Sequence, residues 1–279
     1  VECEGPKESF EITVNPTPEI DDVEEELCSG SSFTVIPENE GGINSSDIVP
    51  TNTTYTWTVA DNPDVTGYSD ESTSQTQISQ TLTNLTNAPT DVTYTVTPTS
   101  GAAGNCEGEP FTIIVTVNPV PLIDDAEEDV CSGGLFEFDP QNGGGINSSD
   151  IVPTNTTYTW TVIDNPDVTG ESDESTGQSK VSQTLTNLTN APKEVTYTVT
   201  PTSGSCIGAS FELTVTVNPT PEIDDVEEEI CSGSSFTVIP ENGRGINSSD
   251  IVPTNTTYTW TVVDNPDVTG YSDESTGQT

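Results

Sequence analysis

The chain has no histidine, no methionine and only four Lys plus Arg. Without histidine, imidazole-based acid–base and nucleophilic catalysis are excluded outright, since no other side chain titrates near neutral pH without a strong environmental shift. The scarcity of cations against 47 Asp plus Glu leaves a net charge of −43. That balance excludes nucleic acid as a partner, because a phosphate backbone would meet a polyanion with almost nothing to neutralise it. Long apolar runs are also missing. None approaches the roughly 18 residues of a membrane-spanning helix, and no signal-peptide pattern opens the sequence. With 30% hydrophobic residues and so large a charge, composition taken alone points towards disorder.

The pattern of the apolar residues points the other way. Thr alternates with Val, Ile, Tyr, Trp and Phe along many short segments, which is the period-2 signature of half-buried strands. At 279 residues the chain is long enough for about two domains. An ordered, secreted, all-β protein with thin cores under polar faces is expected.

Internal repetition dominates. Cys28-Ser29-Gly30 recurs at Cys131-Ser132-Gly133 and Cys231-Ser232-Gly233, and Tyr55-Thr56-Trp57-Thr58-Val59 recurs from Tyr158 and Tyr258. Both landmarks are spaced by 103 and then 100 residues. The difference falls between Pro98 and Cys106, as against Pro201 and Cys206, which marks a surface loop. Residues 1–18 match the C-terminal strand of a preceding repeat. Residues 19–121 and 122–221 form two whole repeats, and 222–279 the N-terminal part of a third. The sequence therefore reads as a window on a longer tandem array.

Each repeat is expected to hold about seven strands in about 100 residues. In the first repeat these lie near Glu19–Glu26, Ser32–Ile36, Thr54–Val59, Val65–Tyr68, Gln77–Leu82, Asp91–Thr97 and Phe111–Val117. Alternation places Tyr55, Trp57, Val92, Tyr94, Val96, Phe111, Ile113, Val115 and Val117 inward. Asp61–Asp64 and Asp70-Glu71 read as acidic loops. Seven short strands with a Trp on the third fit an immunoglobulin-like sandwich of two packed sheets. The Pro-rich junctions at 118–121 and 218–221 stiffen an extended linker, so the repeats are expected to form an extended rod.

The order Cys-Ser-Gly, Thr-Tyr-Thr-Trp-Thr-Val, Gln-Thr-Leu-Thr-Asn, Val-Thr-Tyr-Thr-Val-Thr-Pro, Thr-Val-Asn-Pro-Thr-Pro resembles the PKD-like repeats of giant surface adhesins from gliding Bacteroidetes. In the second repeat these motifs stand at Cys131, Thr157–Val162, Gln183–Asn187, Val195–Pro201 and Val215–Pro221. The resemblance covers essentially the whole chain. It implies tandem PKD-like β-sandwiches, export by the type IX secretion system and display as cell-surface filaments. It further implies partners in a surface substratum or polysaccharide, and in the motility machinery through other regions. Trp57-Thr58-Val59-Ala60-Asp61 stands where typical PKD domains carry Trp-Asp-Phe-Gly-Asp.

The six cysteines fall two per repeat, which reads as a disulfide framework in an oxidising compartment, with buried free thiols as the alternative. Cys28 lies at the pole where its repeat ends, and Cys106 and Cys206 at the pole where a repeat begins. A disulfide needs Cα atoms within about 7 Å. An inter-repeat bond, Cys28 to Cys206, is therefore expected, the other cysteines pairing in repeats outside this sequence. The competing arrangement is Cys28 with Cys106 and Cys131 with Cys206.

The junction segments are strongly anionic. Asp21, Asp22, Glu24, Asp124, Asp125, Asp224 and Asp225 are candidate calcium ligands, since Ca²⁺ takes six to eight oxygens. The plainer reading is a solvated acidic surface that keeps filaments soluble. No cofactor is required. Trp57, Trp160 and Trp260 sit mid-strand between inward Tyr and Val, which favours core positions over carbohydrate platforms. Sequons at Asn44, Asn52 and Asn84 and at their counterparts are expected from composition alone. Lys7, Lys180 and Lys193 do not recur at equivalent places, so a repeated Lys–Asn isopeptide cross-link is not expected. Three functions compete: a structural filament repeat of an adhesin, a glycan- or protein-binding module, and an enzyme built on paired carboxylates. Near-identical repeats favour the first, because a stalk needs uniform units rather than distinct sites.

Overall fold

The computed structural model describes residues 3–41, 46–101, 104–145, 149–244 and 249–278. Among them every regular element is a strand, and no helix is long and apolar enough to cross a membrane. The chain divides into two compact units. The first comprises Val1–Pro121, Ile151–Asn155 and Ser203–Ile207; the second comprises Leu122–Asp150, Thr156–Thr202 and Gly208–Thr279.

The first unit is built from β1 (Val23–Cys28), β2 (Ser31–Val35), β3 (Thr54–Val59), β4 (Val65–Thr66), β5 (Glu71–Gln75), β6 (Ile78–Asn84), β7 (Thr90–Thr99) and β8 (Phe111–Asn118). One sheet runs β1-β8-β7-β3-β5 and the other β2-β6-β4. Strict alternation on β7 and β8 sends Val92, Tyr94, Val96, Ile113, Val115 and Val117 into the core, each fully buried, as the period-2 pattern requires. Ile78 and Leu82 of β6 meet them from the opposing sheet, and Phe33 packs against Tyr94 with ring centroids 5.2 Å apart. Each such side chain contributes about 1.5–3 kcal/mol on burial.

Three features depart from the sequence expectation. β1 starts at Val23 rather than Glu19, because Glu19 is occupied in a separate two-bond bridge with Ile48, at 3.0 and 2.7 Å. β1 then joins β8 in parallel, Val23 opposite Ile113 through Cys28 opposite Asn118. The segment from Glu71, read as part of an acidic loop, is the edge strand β5 beside β3, with an irregular register between Tyr55 and Trp57. Its polar sequence suits an edge, where an apolar strand would invite further pairing.

Close approach of strands explains one repeated glycine. Gly67 follows β4 at φ +98°, and a Cβ there would lie 2.0 Å from the carbonyl oxygen of Thr81 on β6. Gly170 repeats this, at φ +102° and 2.1 Å from Thr184 O.

In the second unit the same plan recurs in β9 (Ala126–Cys131), β10 (Gly134–Phe138), β11 (Thr157–Val162), β12 (Val168–Thr169), β13 (Glu174–Gln178), β14 (Val181–Asn187), β15 (Lys193–Ser203) and β17 (Phe211–Asn218). One sheet follows β13-β11-β15-β17-β9, again with a parallel β17–β9 pair, and the other β10-β14-β12. The two-residue β16 (Cys206–Ile207) lies in sequence between β15 and β17. Among the described residues beyond 221, β18 (Tyr258–Trp260) pairs with β19 (Glu274–Gln278).

Trp57 and Trp160 are 6% and 5% exposed, each donating its indole N–H to a main-chain oxygen, of Ser69 and Ser172, at 3.0 Å. The expectation of a core position fails for Trp260, which is 47% exposed although its indole makes the equivalent bond to Ser272. Residues 222–279 contain no counterparts of β6 to β8, whose apolar side chains share the core with Trp57.

Candidate functional site

Cys28 is the last residue of β1, and the turn after it is bolted to the first unit at four points. The N–H of Ser29 donates to Asn118 O at 2.8 Å and that of Gly30 to Leu82 O at 2.7 Å. The Ser29 hydroxyl donates to Asn84 O at 3.3 Å and accepts from the Asn84 N–H at 2.9 Å. Gly30 takes φ +83°, a conformation that favours glycine. These bonds account for the recurrence of Cys-Ser-Gly as a motif. Asn84 is itself buried and saturated: its amide donates to Ala88 O and Val117 O, both at 2.7 Å, and accepts from the N–H and hydroxyl of Thr86. Asn187 repeats this arrangement, so neither of these two sequons offers a free amide to a glycan. Asn52 is exposed at φ +60°, and Asn44 lies outside the described residues.

The thiol so positioned is joined to Cys206. The Cys28–Cys206 disulfide spans 178 residues of sequence with Cα atoms 5.6 Å apart. It links the Cys-Ser-Gly turn of one sequence repeat to the hairpin of the next, and both cysteines belong to the first compact unit. Cys106 and Cys131, the other members of the competing pairing, are free thiols, as are Cys3 and Cys231. Cys131 stands in the same local frame as Cys28, with Ser132 N–H on Asn218 O and Gly133 N–H on Leu185 O, both at 2.7 Å. Beside the cross-link lies a crevice of about 170 Å³, lined by Glu26, Pro89, Asn118, Pro153, Ser203 and Ser205 among others.

The acidic positions divide by role. The N–H of Asp21 donates to Oδ1 of Asp47 at 2.9 Å, and its own Oδ2 accepts from the Ser46 hydroxyl at 2.9 Å. Asp124 with Asp150 and Ser149, and Asp224 with Asp250 and Ser249, repeat the motif. Asp22 accepts from the N–H of Thr112 at 2.6 Å, at the start of the parallel β1–β8 pair, and this bond holds its carboxyl below the ordinary value. Asp125 likewise accepts a hydrogen bond from the N–H of Glu212, at 2.7 Å. Glu24 and Asp225 point to solvent. Among the described residues no group of three or more Asp, Glu or Cys side chains is arranged to hold a metal ion. Sequence reading had not singled out Asp47, which is buried together with Asp150 and Asp250. Its signal was there: an Asp repeated in register inside an otherwise neutral Ser-Ser-Asp-Ile-Val-Pro stretch.

One position differs chemically between repeats. The Tyr68 hydroxyl accepts from the N–H of Asn62 at 2.7 Å and shares its proton between Asp61 Oδ1, at 2.9 Å, and Asn62 O, at 3.0 Å. Tyr271 does likewise with Asn265 and Asp264. The second repeat has Glu171 there. Its Oε1 accepts from Asn165 N–H at 3.3 Å, and its Oε2 is buried without a hydrogen-bond partner.

In comparison with known proteins, a PKD-like domain family matches residues 25–121 and 128–221. No curated relative matches the chain. Among solved structures, EC22-24 of mouse cadherin-23 is similar at 11% identity and a TM-score of 0.36, covering 88% of this chain and 92% of that one. The FN1-FN3 domains of chicken CNTN1 give 10% identity and a TM-score of 0.29, over 73% of this chain and 68% of that one. SporoSAG from Toxoplasma gondii gives 12% and 0.25, over 74% of this chain and all of that one. Scores this low carry nothing from those proteins to this chain.

Proposed function

Because the chain belongs to the PKD-like domain family, we propose that it is a structural repeat region of a long filamentous cell-surface adhesin, exported by type IX secretion and serving surface attachment and gliding. The supporting observation is the disulfide from Cys28 to Cys206. A covalent bond from the turn of one sequence repeat to the hairpin of the next lets tension bypass the non-covalent strand pairing between them. Disulfides of this kind persist in oxidising compartments, which suits an extracellular location. The 47 carboxylates support the reading from a second side, since mutual repulsion keeps neighbouring filaments apart and soluble.

Single-molecule stretching of the oxidised and reduced chain tests this. The adhesin-filament reading expects the oxidised chain to extend less at a given force, and reduction to release the stretch between Cys28 and Cys206. Equal extension in both states rejects it.

A glycan-binding role is favoured by a shallow groove on the outward face of β11 and β15, where Thr159, Thr161, Thr198 and Thr200 present hydroxyls beside Asp173 and Glu174. A glycan array on the purified chain separates the two readings, because the filament role expects no repeat-specific hits.

A further inference from the structure

The first sequence repeat leaves one strand position empty. In an immunoglobulin-type sandwich the first strand usually lies beside the second, in the same sheet. Here β1 crosses to the opposite sheet and pairs with β8, which makes β2 the outer strand of β2-β6-β4. Among the described residues no strand pairs with β2 on its outer side. One row of its backbone N–H and C=O groups therefore faces outward, a template for a further strand.

β2 also lacks the usual guards of an exposed edge. Ser31-Ser-Phe-Thr-Val35 holds no charge and no proline, and its register with β6 runs unbroken from Ser31 opposite Leu82 to Val35 opposite Ile78. The counterpart in the second repeat is guarded. β10 carries Glu137, which pairs with Lys180, and Asp139 follows it where the exposed Ile36 follows β2.

A groove of about 780 Å³ lies between β2 and β1. Ile20, Val23 and Val35 give it an apolar lining, and Glu24, Glu25 and Glu38 add negative charge with no Lys or Arg beside them. Asp22 and Asp47 line it too, but the N–H groups of Thr112 and Asp21 already engage them. This charge selects the occupant. A second copy would bring a net charge of −43 to a groove that is itself negative, so pairing between copies is opposed. A segment bearing lysine or arginine meets the opposite: its aliphatic residues displace water from the apolar lining, and its cations face the three glutamates.

We propose that the outer edge of β2 and this groove form a strand-addition site for an extended cationic segment of another protein, in which lysine or arginine alternates with aliphatic residues. Main-chain bonds to β2 supply affinity, and the acid-lined groove supplies selection. The five residues of β2 set the paired length, roughly 17 Å at about 3.4 Å per residue.

The probe is a capped octapeptide of alternating lysine and valine, titrated into the full chain near physiological ionic strength. Its comparator has proline in place of each valine, which keeps the charge but removes the aliphatic residues and a row of N–H donors. Hydrogen exchange is followed on the same samples. The lysine–valine peptide is expected to bind, to slow exchange in β2 and to leave β10 unchanged, and the proline comparator to bind more weakly. A Glu24→Gln/Glu25→Gln variant should lose roughly two- to thirtyfold in affinity, the worth of two surface ion pairs. Glu107→Gln/Glu109→Gln, which removes equal charge elsewhere on the first repeat, should bind as the wild type does. Equal binding of the two peptides overturns the proposal, since it reports only attraction to a polyanion. So do the absence of binding by the lysine–valine peptide, slowed exchange that spares β2, and equal losses in the two variants.

Discussion

The main-chain N–H of Asp21 donates to the buried carboxylate of Asp47, and the same bond joins Asp124 to Asp150 and Asp224 to Asp250, each at 2.9 Å. An aspartate placed in a conspicuously acidic segment thus uses its backbone to satisfy a second aspartate that is almost wholly out of water. The pair ties the entry of each repeat to the loop before β3 or its counterpart.

Removing that acceptor leaves the partly buried N–H of Asp21 unpaired. Asp47→Ala is expected to destabilise the first unit by about 1–3 kcal/mol, the usual penalty for an unsatisfied buried group. Asp47→Asn keeps an acceptor oxygen and should lose less. Urea denaturation followed by near-ultraviolet circular dichroism checks both, and an Asp47→Ala midpoint equal to the wild type would rule out the structural role.

Reduction or Cys28→Ser should lower the melting temperature of the first unit. Closing a 178-residue loop carries an upper limit of about 5 kcal/mol in the chain-entropy view. Peptide mapping without reductant should recover Cys28 joined to Cys206, and recovery of Cys28 joined to Cys106 would contradict the structure.

The tryptophans should separate by environment. Trp57→Ala is expected to cost about 3–5 kcal/mol, whereas Trp260→Ala should stay within about 0.5 kcal/mol, as for a surface side chain. Acrylamide, being neutral, reaches the surface of this polyanion freely. It should quench a red-shifted component that disappears in Trp260→Phe and persists in Trp57→Phe.

Asp22 sets an acid-side signature. Its carboxyl lies below the ordinary value because the Thr112 N–H stabilises the charged form. The resulting stability is fully present above the unfolded value, about 3.9. It is lost as pH falls through the lower folded value. Asp22→Asn should therefore narrow its stability gap to the wild type as pH drops below about 4. On the alkaline side, burial pushes Tyr55 and Tyr158 up to about 12. Both hydroxyls should stay protonated through pH 10 in an ultraviolet titration and ionise near 12, where the stability tied to their neutral form is lost. A gap for Asp22→Asn that is flat across the acid range contradicts the first expectation, and tyrosines titrating together near 10 contradict the second.

Much of the architecture is legible without coordinates, and the reason is local. Val92-Thr-Tyr-Thr-Val96 and Ile113 to Val117 alternate, and the pleat of a strand turns alternation directly into an inside and an outside. β5 escaped notice because Glu71-Ser-Thr-Ser-Gln75 has no apolar face to betray it; only the free edge of β3 makes it a strand. The parallel partnership of β1 with β8 was equally hidden, since pairing direction leaves no mark on the residues of either strand alone. Glu171 could be read as a difference from Tyr68 but not as a missing donor, because its partners come from the folded-back loop at Asn165.

The sequence by itself determined that this protein is a tandem of strand-built repeats with threonine outside, aromatic and aliphatic residues inside, and cysteines in a fixed rhythm, because each of these follows from the period of neighbouring residues along one chain. Only the tertiary structure decided which cysteine meets which, which aspartates are buried, and where one oxygen of a carboxylate is left without a hydrogen-bond partner. Those depend on distances between groups up to 178 residues apart, and such distances exist only once opposed sheets have packed.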